Sequence, residues 1–128
     1  MGNNDLKGRL ALITGASGGF VSSLLLPITL LTTCPSIGAA IARDFAALQI
    51  NLALTYSSSP GKVESLISEI RSSIPGAKDL KISSHKVDVG KVEDLKRLFE
   101  EVKRDHEEKV VDLLISNAGY GKRIVDVW

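Results

Sequence analysis

Glycines and small residues that could hold a phosphate group occur in two short stretches of this chain. The first is TGASGG at positions 14–19, and the second is IGAAIARDF at positions 37–45. Glycines between a strand and a helix let backbone N–H groups approach a phosphate, and the helix N-terminus adds the positive end of its dipole. Joining Gly19 to Ile37 gives TGASGGIGAAIARDF, an unbroken turn that runs into a helix. The chemistry predicted for these residues is therefore the binding of a diphosphate.

An apolar segment, FVSSLLLPITLLTTCPS at positions 20–36, separates the two stretches. One interpretation is a membrane span, but a span needs roughly 20 apolar residues, and this segment is shorter and contains Pro27. Another is a lid over a ligand, although such loops are usually more polar. We favour a third, a short intron translated in frame, because removing the segment restores the turn without loss or gain of a residue.

Apolar runs alternate with helical patterns along the chain, which predicts βα units and a parallel sheet. The run at positions 9–14 is continuously apolar, as expected for a strand that is covered on both faces. Further strands are predicted at positions 50–56, 80–87 and 110–116. One helix should follow the glycine turn. Two more are predicted from apolar stripes at helical spacing, which comprise Val63, Leu66, Ile67, Ile70 and Ile74 in the first stripe and Val92, Leu95, Leu98, Phe99 and Val102 in the second.

The composition fits a single domain, which we assign to residues 1–128 with 20–36 as an apolar insertion. A net charge of +1 without a basic stripe gives no reason to expect nucleic acid or an anionic membrane as a partner. The single cysteine, Cys34, cannot form an internal disulfide, which favours a reducing, cytoplasmic location. The polar start of the chain, MGNND, does not have the pattern of a signal peptide.

Several motifs, in chain order, resemble those of the short-chain dehydrogenase/reductase family. The rejoined turn has that family's T-G-x-x-x-G-x-G pattern, with its glycines at Gly15, Gly19 and Gly38. The VDV sequence at positions 87–89 resembles the family's D-V at the end of the third strand. The NAG sequence at positions 117–119 resembles its N-A-G after the fourth strand. The resemblance covers essentially the whole chain apart from the insertion.

This resemblance implies an α/β fold, a partial Rossmann sheet of about four parallel strands in the order 3-2-1-4, which binds a nicotinamide dinucleotide. It also implies that Asp88 contacts the adenine amino group and that Asn117 stabilises the central sheet beside the cofactor. The predicted cofactor-binding residues are Gly15, Ser17, Gly19, Ile37, Gly38, Tyr56, Ser57, Ser58, Asp88, Val89, Asn117, Ala118 and Gly119.

The end of the second predicted strand indicates which nicotinamide dinucleotide is bound. An acid at this place would bind the adenosine ribose and repel a 2′-phosphate. The chain has no acid there; Ser57 and the two serines after it can donate hydrogen bonds to such a phosphate, and Lys62 can supply charge. The sequence therefore favours NADP(H) over NAD(H).

Less specific interpretations remain open for several of these residues. Asp88 could be the N-cap of the helix that follows it, and Asn117 could simply hydrogen-bond a turn. His85 and His106 are interpreted as single polar residues, on a strand end and on a helix face, without a chemical role. We predict no metal site.

The resemblance also implies that the family's chemistry comes from residues that follow these motifs. A tyrosine acts as general acid or base, a lysine four residues later lowers its pKa, and a serine fixes the substrate carbonyl. No Tyr-x-x-x-Lys occurs here, because Tyr56 is followed at the fourth place by Pro60 and Tyr120 by Ile124. We predict no catalytic residue, and we expect the sequence to continue into a catalytic half beyond Trp128 in a full-length form.

The predicted function is accordingly the cofactor-binding part of an NADP(H)-dependent carbonyl or alcohol oxidoreductase, similar to ketoacyl reductases, without turnover by this chain. A small carbonyl or alcohol substrate is expected only for a full-length form. One alternative is a non-catalytic nucleotide-binding or interaction module, which could form a homo-oligomer through an open sheet edge. The other is a membrane-tethered fragment held by the apolar insertion.

Overall fold

A computed structural model describes residues 5–16, 37–57 and 60–117 of the chain. All four predicted strands are present, each shorter than predicted, and so are the three predicted helices. The insertion at positions 20–36 lies outside the described residues. The elements, in chain order, are β1 (Leu10–Ile13), α1 (Ile37–Ala47), β2 (Asn51–Tyr56), α2 (Pro60–Ser73), a short 3₁₀ helix (Ala77–Asp79), β3 (Ile82–Lys86), α3 (Val92–Asp105) and β4 (Leu113–Ile115).

The four strands form one parallel sheet in the order β3-β2-β1-β4, which confirms the predicted fold class and strand order. In the central strand β1, Leu12 lies beside Ala53 of β2 on one side and Leu114 of β4 on the other. The chain passes outward from β1 to β3 and then returns to β4, so the direction of winding reverses between β1 and β4. Ligands of open α/β sheets bind outside the carboxyl ends of the strands at such a point.

Alternating side chains of the sheet build a core on each face, as the period of two in a strand requires. Ala11 and Ile13 of β1 are buried with residues of α1 and α2 on one face. Leu10 and Leu12 are buried on the other face together with Leu98 of α3. Both faces of the sheet are therefore covered over its central strands, which explains the continuously apolar sequence of β1.

The apolar stripe predicted for α3 is wrong at two positions. Leu98 and Val102 are buried, but Phe99 is 49% exposed and Val92 is 60% exposed. Leu98 and Val102 lie one helical turn apart on the face that packs on the sheet. Phe99 is rotated away from that face and belongs to neither of the two cores of the described residues.

The carboxylate of Asp112 fixes the start of β1 beside β4. Its Oδ2 accepts the backbone N–H of Leu10 at 3.0 Å, and its Oδ1 accepts a hydrogen bond from Nη1 of Arg9 at 3.2 Å. The Leu10 bond, assisted by Arg9, lowers the pKa of Asp112. These contacts hold the β1–β4 register, in which Ala11 lies opposite Leu113.

Candidate functional site

Residues from four segments lie at the carboxyl edge of the sheet, one segment after each strand. Gly15 follows β1, Ser57 follows β2, Asp88 follows β3 and Asn117 follows β4. Because the strands are parallel, their carboxyl ends share one edge. The structure thus gathers at this edge the described residues that the sequence motifs single out.

The turn after β1 needs glycine at its second residue. Gly15 has a φ of 68°, in the left-handed region that favours glycine. Its N–H donates to Oγ1 of Thr55 at 3.2 Å, and the next N–H, that of Ala16, donates to the Thr55 carbonyl at 3.0 Å. Thr55 therefore fastens the turn from β2. No sequence motif predicts this role for Thr55. The only indication in the sequence is its position next to the last residue of β2.

Asn117 fastens the same turn from the side of β4. Its Nδ2 donates to the carbonyl oxygen of Gly15 at 3.2 Å, and its backbone N–H donates to Oγ1 of Thr14 at 3.0 Å. The side chain thus hydrogen-bonds a turn, as the less specific interpretation proposed. The turn lies at the edge where the resemblance implies a cofactor. Bonding the turn and stabilising the sheet beside a cofactor are therefore compatible roles for Asn117.

Gly38 brings the start of α1 into direct contact with this turn. A Cβ built on Gly38 would lie 3.0 Å from the carbonyl oxygen of Gly15 and 2.7 Å from Nδ2 of Asn117. Only glycine allows so close an approach of the helix. The two sides of the glycine motif are therefore neighbours in space, although residues 17–36 separate them in sequence.

The turn after β3 is closed by the side chain of Asp88. Its Oδ1 accepts the N–H of Gly90 at 2.9 Å, while its own N–H donates to Oδ2 of Asp94 at 2.9 Å. The N-cap of α3 is Lys91, which shows that the N-cap interpretation of Asp88 was wrong. Asp88 is exposed, and Val89 packs partly buried against the core beneath α3.

The end of β2 combines a structural residue with exposed polar residues. Tyr56 packs partly buried against the core, and its carbonyl accepts the N–H of Val87 at 2.8 Å. Ser57 is exposed, and so is Lys62 in the first turn of α2. The remaining predicted positions, Ser17, Gly19, Ser58, Ala118 and Gly119, lie outside the described residues.

Two open grooves lie at the opposite, amino-terminal edge of the sheet. One of about 270 Å³ is lined by Lys7 and Asn51 among others, and one of about 610 Å³ by Arg71, Ser83 and His106 among others. Neither groove is lined by Gly15, Ser57, Asp88 or Asn117, the residues at the carboxyl edge.

Within the described ranges, no group of three or more His, Cys, Asp or Glu side chains could hold a metal ion. Across the same ranges, no helix combines the length and the apolar character needed to cross a membrane. The apolar insertion lies outside these ranges.

A family model described as "Enoyl-(Acyl carrier protein) reductase" matches residues 33–127. No curated protein sequence matches the chain. Among solved structures, the NADPH-dependent 3-quinuclidinone reductase from Rhodotorula rubra is 28% identical, with a TM-score of 0.67 over 93% of this chain and 36% of that one.

Two further structures share the fold at lower identity. L-sorbose reductase from Gluconobacter frateurii, complexed with NADPH and L-sorbose, is 22% identical, with a TM-score of 0.69 over 98% of this chain and 39% of that one. A short-chain dehydrogenase/reductase from Serratia marcescens is 23% identical, with a TM-score of 0.65 over 90% of this chain and 37% of that one. The chain therefore spans between 36% and 39% of the length of these three structures.

Proposed function

The chain belongs to the short-chain dehydrogenase/reductase family, and from this premise we propose that it binds the dinucleotide of an NADP(H)-dependent carbonyl or alcohol oxidoreductase. The observation that carries the proposal is the contact of Gly38 with the Gly15 turn. This contact puts the start of α1, the positive end of its helix dipole, beside the turn at the carboxyl edge of β1, where a diphosphate would bind. The relative from Rhodotorula rubra is NADPH-dependent by name, which supports the choice of cofactor.

We propose NADP(H) rather than NAD(H) from the residues around the end of β2. Ser57 and Lys62 are exposed there, and Lys86 of β3 lies opposite Tyr56 in the strand register. Hydroxyl and ammonium groups suit a 2′-phosphate, whereas an acid at this place would repel it. Neither tyrosine of the chain is followed by lysine at the fourth place. For this reason we propose that residues 1–128 by themselves bind cofactor without reducing a carbonyl.

Deleting residues 20–36 is expected to strengthen NADPH binding. The insertion lies between Gly19 and Ile37 in the sequence, within the glycine motif. Joining Gly19 to Ile37 places the diphosphate donors in one continuous loop, so less ordering is required when the ligand binds. We expect at least a tenfold lower dissociation constant for NADPH in titration calorimetry, and weaker binding of NADH than of NADPH.

The same titrations test the proposed function itself. Binding of neither dinucleotide, with or without the insertion, would contradict it. Equal NADPH affinity of the two forms would contradict only the role of the insertion. Tighter binding of NADH than of NADPH would contradict the proposed cofactor preference.

A second candidate function, an interaction module that pairs through the sheet edge, is favoured by β4. Among the described residues this strand lies at one edge of the sheet, and its Leu114 is 57% exposed. An apolar edge strand presents unpaired backbone groups to another chain. If this edge pairs, light scattering after size exclusion should show a dimer of defined size, and Leu114→Lys should convert it to a monomer. A monomeric wild-type chain at high concentration would contradict the pairing.

A further inference from the structure

We propose that Asp94 and Arg97 of α3 are positioning residues for the adenine subsite, a role that rests on the proposed dinucleotide function. Both side chains reach back from α3 to the backbone that leaves β3. Oδ2 of Asp94 accepts the N–H of Asp88 at 2.9 Å, and Nη2 of Arg97 donates to the carbonyl oxygen of Lys86 at 2.7 Å. The two backbone groups lie on either side of Val87.

These two bonds act where the sheet ceases to hold the chain. The N–H of Val87 donates to Tyr56 of β2 at 2.8 Å, and the Val87 side chain is buried. The next residue, Asp88, lies beyond β3, and its backbone N–H is held by the carboxylate of Asp94. Hydrogen bonds with one charged partner are stronger than neutral ones. The direction in which Asp88 leaves the strand is therefore determined largely by α3.

Arg97 is itself held by two carboxylates on the same helix. Its Nη1 lies 3.4 Å from Oδ1 of Asp94, and its Nε lies 3.4 Å from Oε1 of Glu101. The other oxygen of Glu101, Oε2, is 2.9 Å from Nδ1 of the buried His85. A continuous series of side-chain contacts therefore runs from the imidazole of His85 to the backbone N–H of Asp88. A guanidinium ordered in this way loses little freedom when it binds the Lys86 carbonyl.

Loss of a positioning side chain has a different effect from loss of a generally stabilising one. Asp94 and Arg97 lie outside the core, and Leu98 and Val102 pack α3 on the sheet, so loss of either polar side chain should leave the fold largely intact. A change in the direction of Asp88 should instead weaken the contact with the adenine amino group that the family resemblance implies for this residue. The expected signature is therefore a loss of base discrimination in a chain that remains folded.

The test compares NADPH with its hypoxanthine analogue, in which an oxygen replaces the adenine amino group. Titrations are run on the full chain and on the form without residues 20–36. We expect the wild type to prefer NADPH about tenfold, as for loss of a hydrogen bond to a charged group. Asp94→Ala and Arg97→Ala should lower this preference to about twofold or less. The control Arg104→Ala, on the same helix with its Nε beside Asp105, should keep it.

A measurement without ligand follows the amide hydrogen of Asp88 by nuclear magnetic resonance. Asp94→Ala should speed its exchange with solvent, because the carboxylate partner is lost, and Arg104→Ala should leave it unchanged. Unchanged exchange in Asp94→Ala, or an unchanged preference in both Asp94→Ala and Arg97→Ala, would overturn the inference. A wild type that binds both dinucleotides equally would contradict the adenine role of Asp88, and the inference with it. NADPH binding would then still support the remainder of the proposed function.

Discussion

Replacing Gly38 by alanine is expected to destabilise the chain and to weaken NADPH binding at the same time. The new Cβ would lie 2.7 Å from Nδ2 of Asn117 and 3.0 Å from the carbonyl oxygen of Gly15. The amide of Asn117 can turn away only by giving up its bond to Gly15. The Gly15 carbonyl belongs to the backbone, so α1 has to move off the turn. Overpacking of this kind costs about 1–3 kcal/mol, whereas alanine improves helix propensity by only about 0.5–1 kcal/mol.

The net change expected in urea unfolding is a loss of about 1–2 kcal/mol in the free energy of unfolding. NADPH affinity should fall about tenfold or more, because the first turn of α1 no longer reaches the diphosphate position. Gly61→Ala is the matched control. Gly61 lies in the first turn of α2, and no described atom comes within 4 Å of a Cβ built there. A Gly38→Ala chain as stable as Gly61→Ala, with unchanged affinity, would contradict the close packing.

The parts of this fold that were predictable from sequence are those encoded by local patterns. The continuous apolar run of β1 indicates burial on both faces of the sheet, and the stripe from Val63 to Ile70 indicates that one face of α2 is buried. Alternation of such segments leaves few topologies for a parallel sheet. The glycine motif was also readable across its interruption, because Gly15 is favoured by its left-handed backbone and Gly38 by its close contact with the Gly15 turn.

Residues that act through the backbone of another segment were not predictable in this way. Thr55 binds the N–H of Gly15, and Asp94 binds the N–H of Asp88. A hydroxyl or carboxylate that accepts from a distant N–H needs no particular sequence spacing, so no motif marks it. Phe99 illustrates the opposite error. Its apolar character predicted burial, but the sheet contacts the neighbouring Leu98 instead.

The interpretation of His85 and His106 as single polar residues was wrong, because the two are linked. Oγ of Ser83 lies 2.7 Å from Nε2 of His85 and 2.8 Å from Nε2 of His106. Their relative exposures are only 3% and 1%. The alternation of Ser83 and His85 places both on one face of β3. That alternation was the available signal, but the third member, at the end of α3, is remote in sequence.

The order of protons in this cluster follows from its chemistry. In the arrangement with both imidazoles neutral, Nδ1 of His85 donates to Glu101, and Nε2 of His85 accepts from the hydroxyl of Ser83. The hydroxyl has a single hydrogen, and His106 must therefore donate to Ser83 through its Nε2. This leaves Nδ1 of His106 as an acceptor, and it is buried without a hydrogen-bond partner among the described residues.

Replacing Ser83 by alanine is expected to lower the free energy of unfolding by about 1–3 kcal/mol, because the buried N–H of His106 loses its acceptor. Urea unfolding at neutral pH measures this loss. Ser84→Ala is the control, since Ser84 is the next hydroxyl of β3 and is exposed. A similar small effect of both substitutions would show that the Ser83 hydroxyl does not support the two imidazoles.

The pH dependence of stability offers a second measurement on the same cluster. Burial lowers the pKa of His106 below its usual 6.5. In the unfolded chain His106 binds a proton near pH 6.5 that the folded chain does not bind. Its contribution is therefore complete above about pH 6.5 and is lost as the pH falls from there towards the lowered pKa. His106→Phe should remove this part of the acid destabilisation between about pH 7.5 and pH 5.5. If both chains instead lost equal stability over that interval, the imidazole would have to be charged in the fold, and the proton order deduced from Ser83 could not hold.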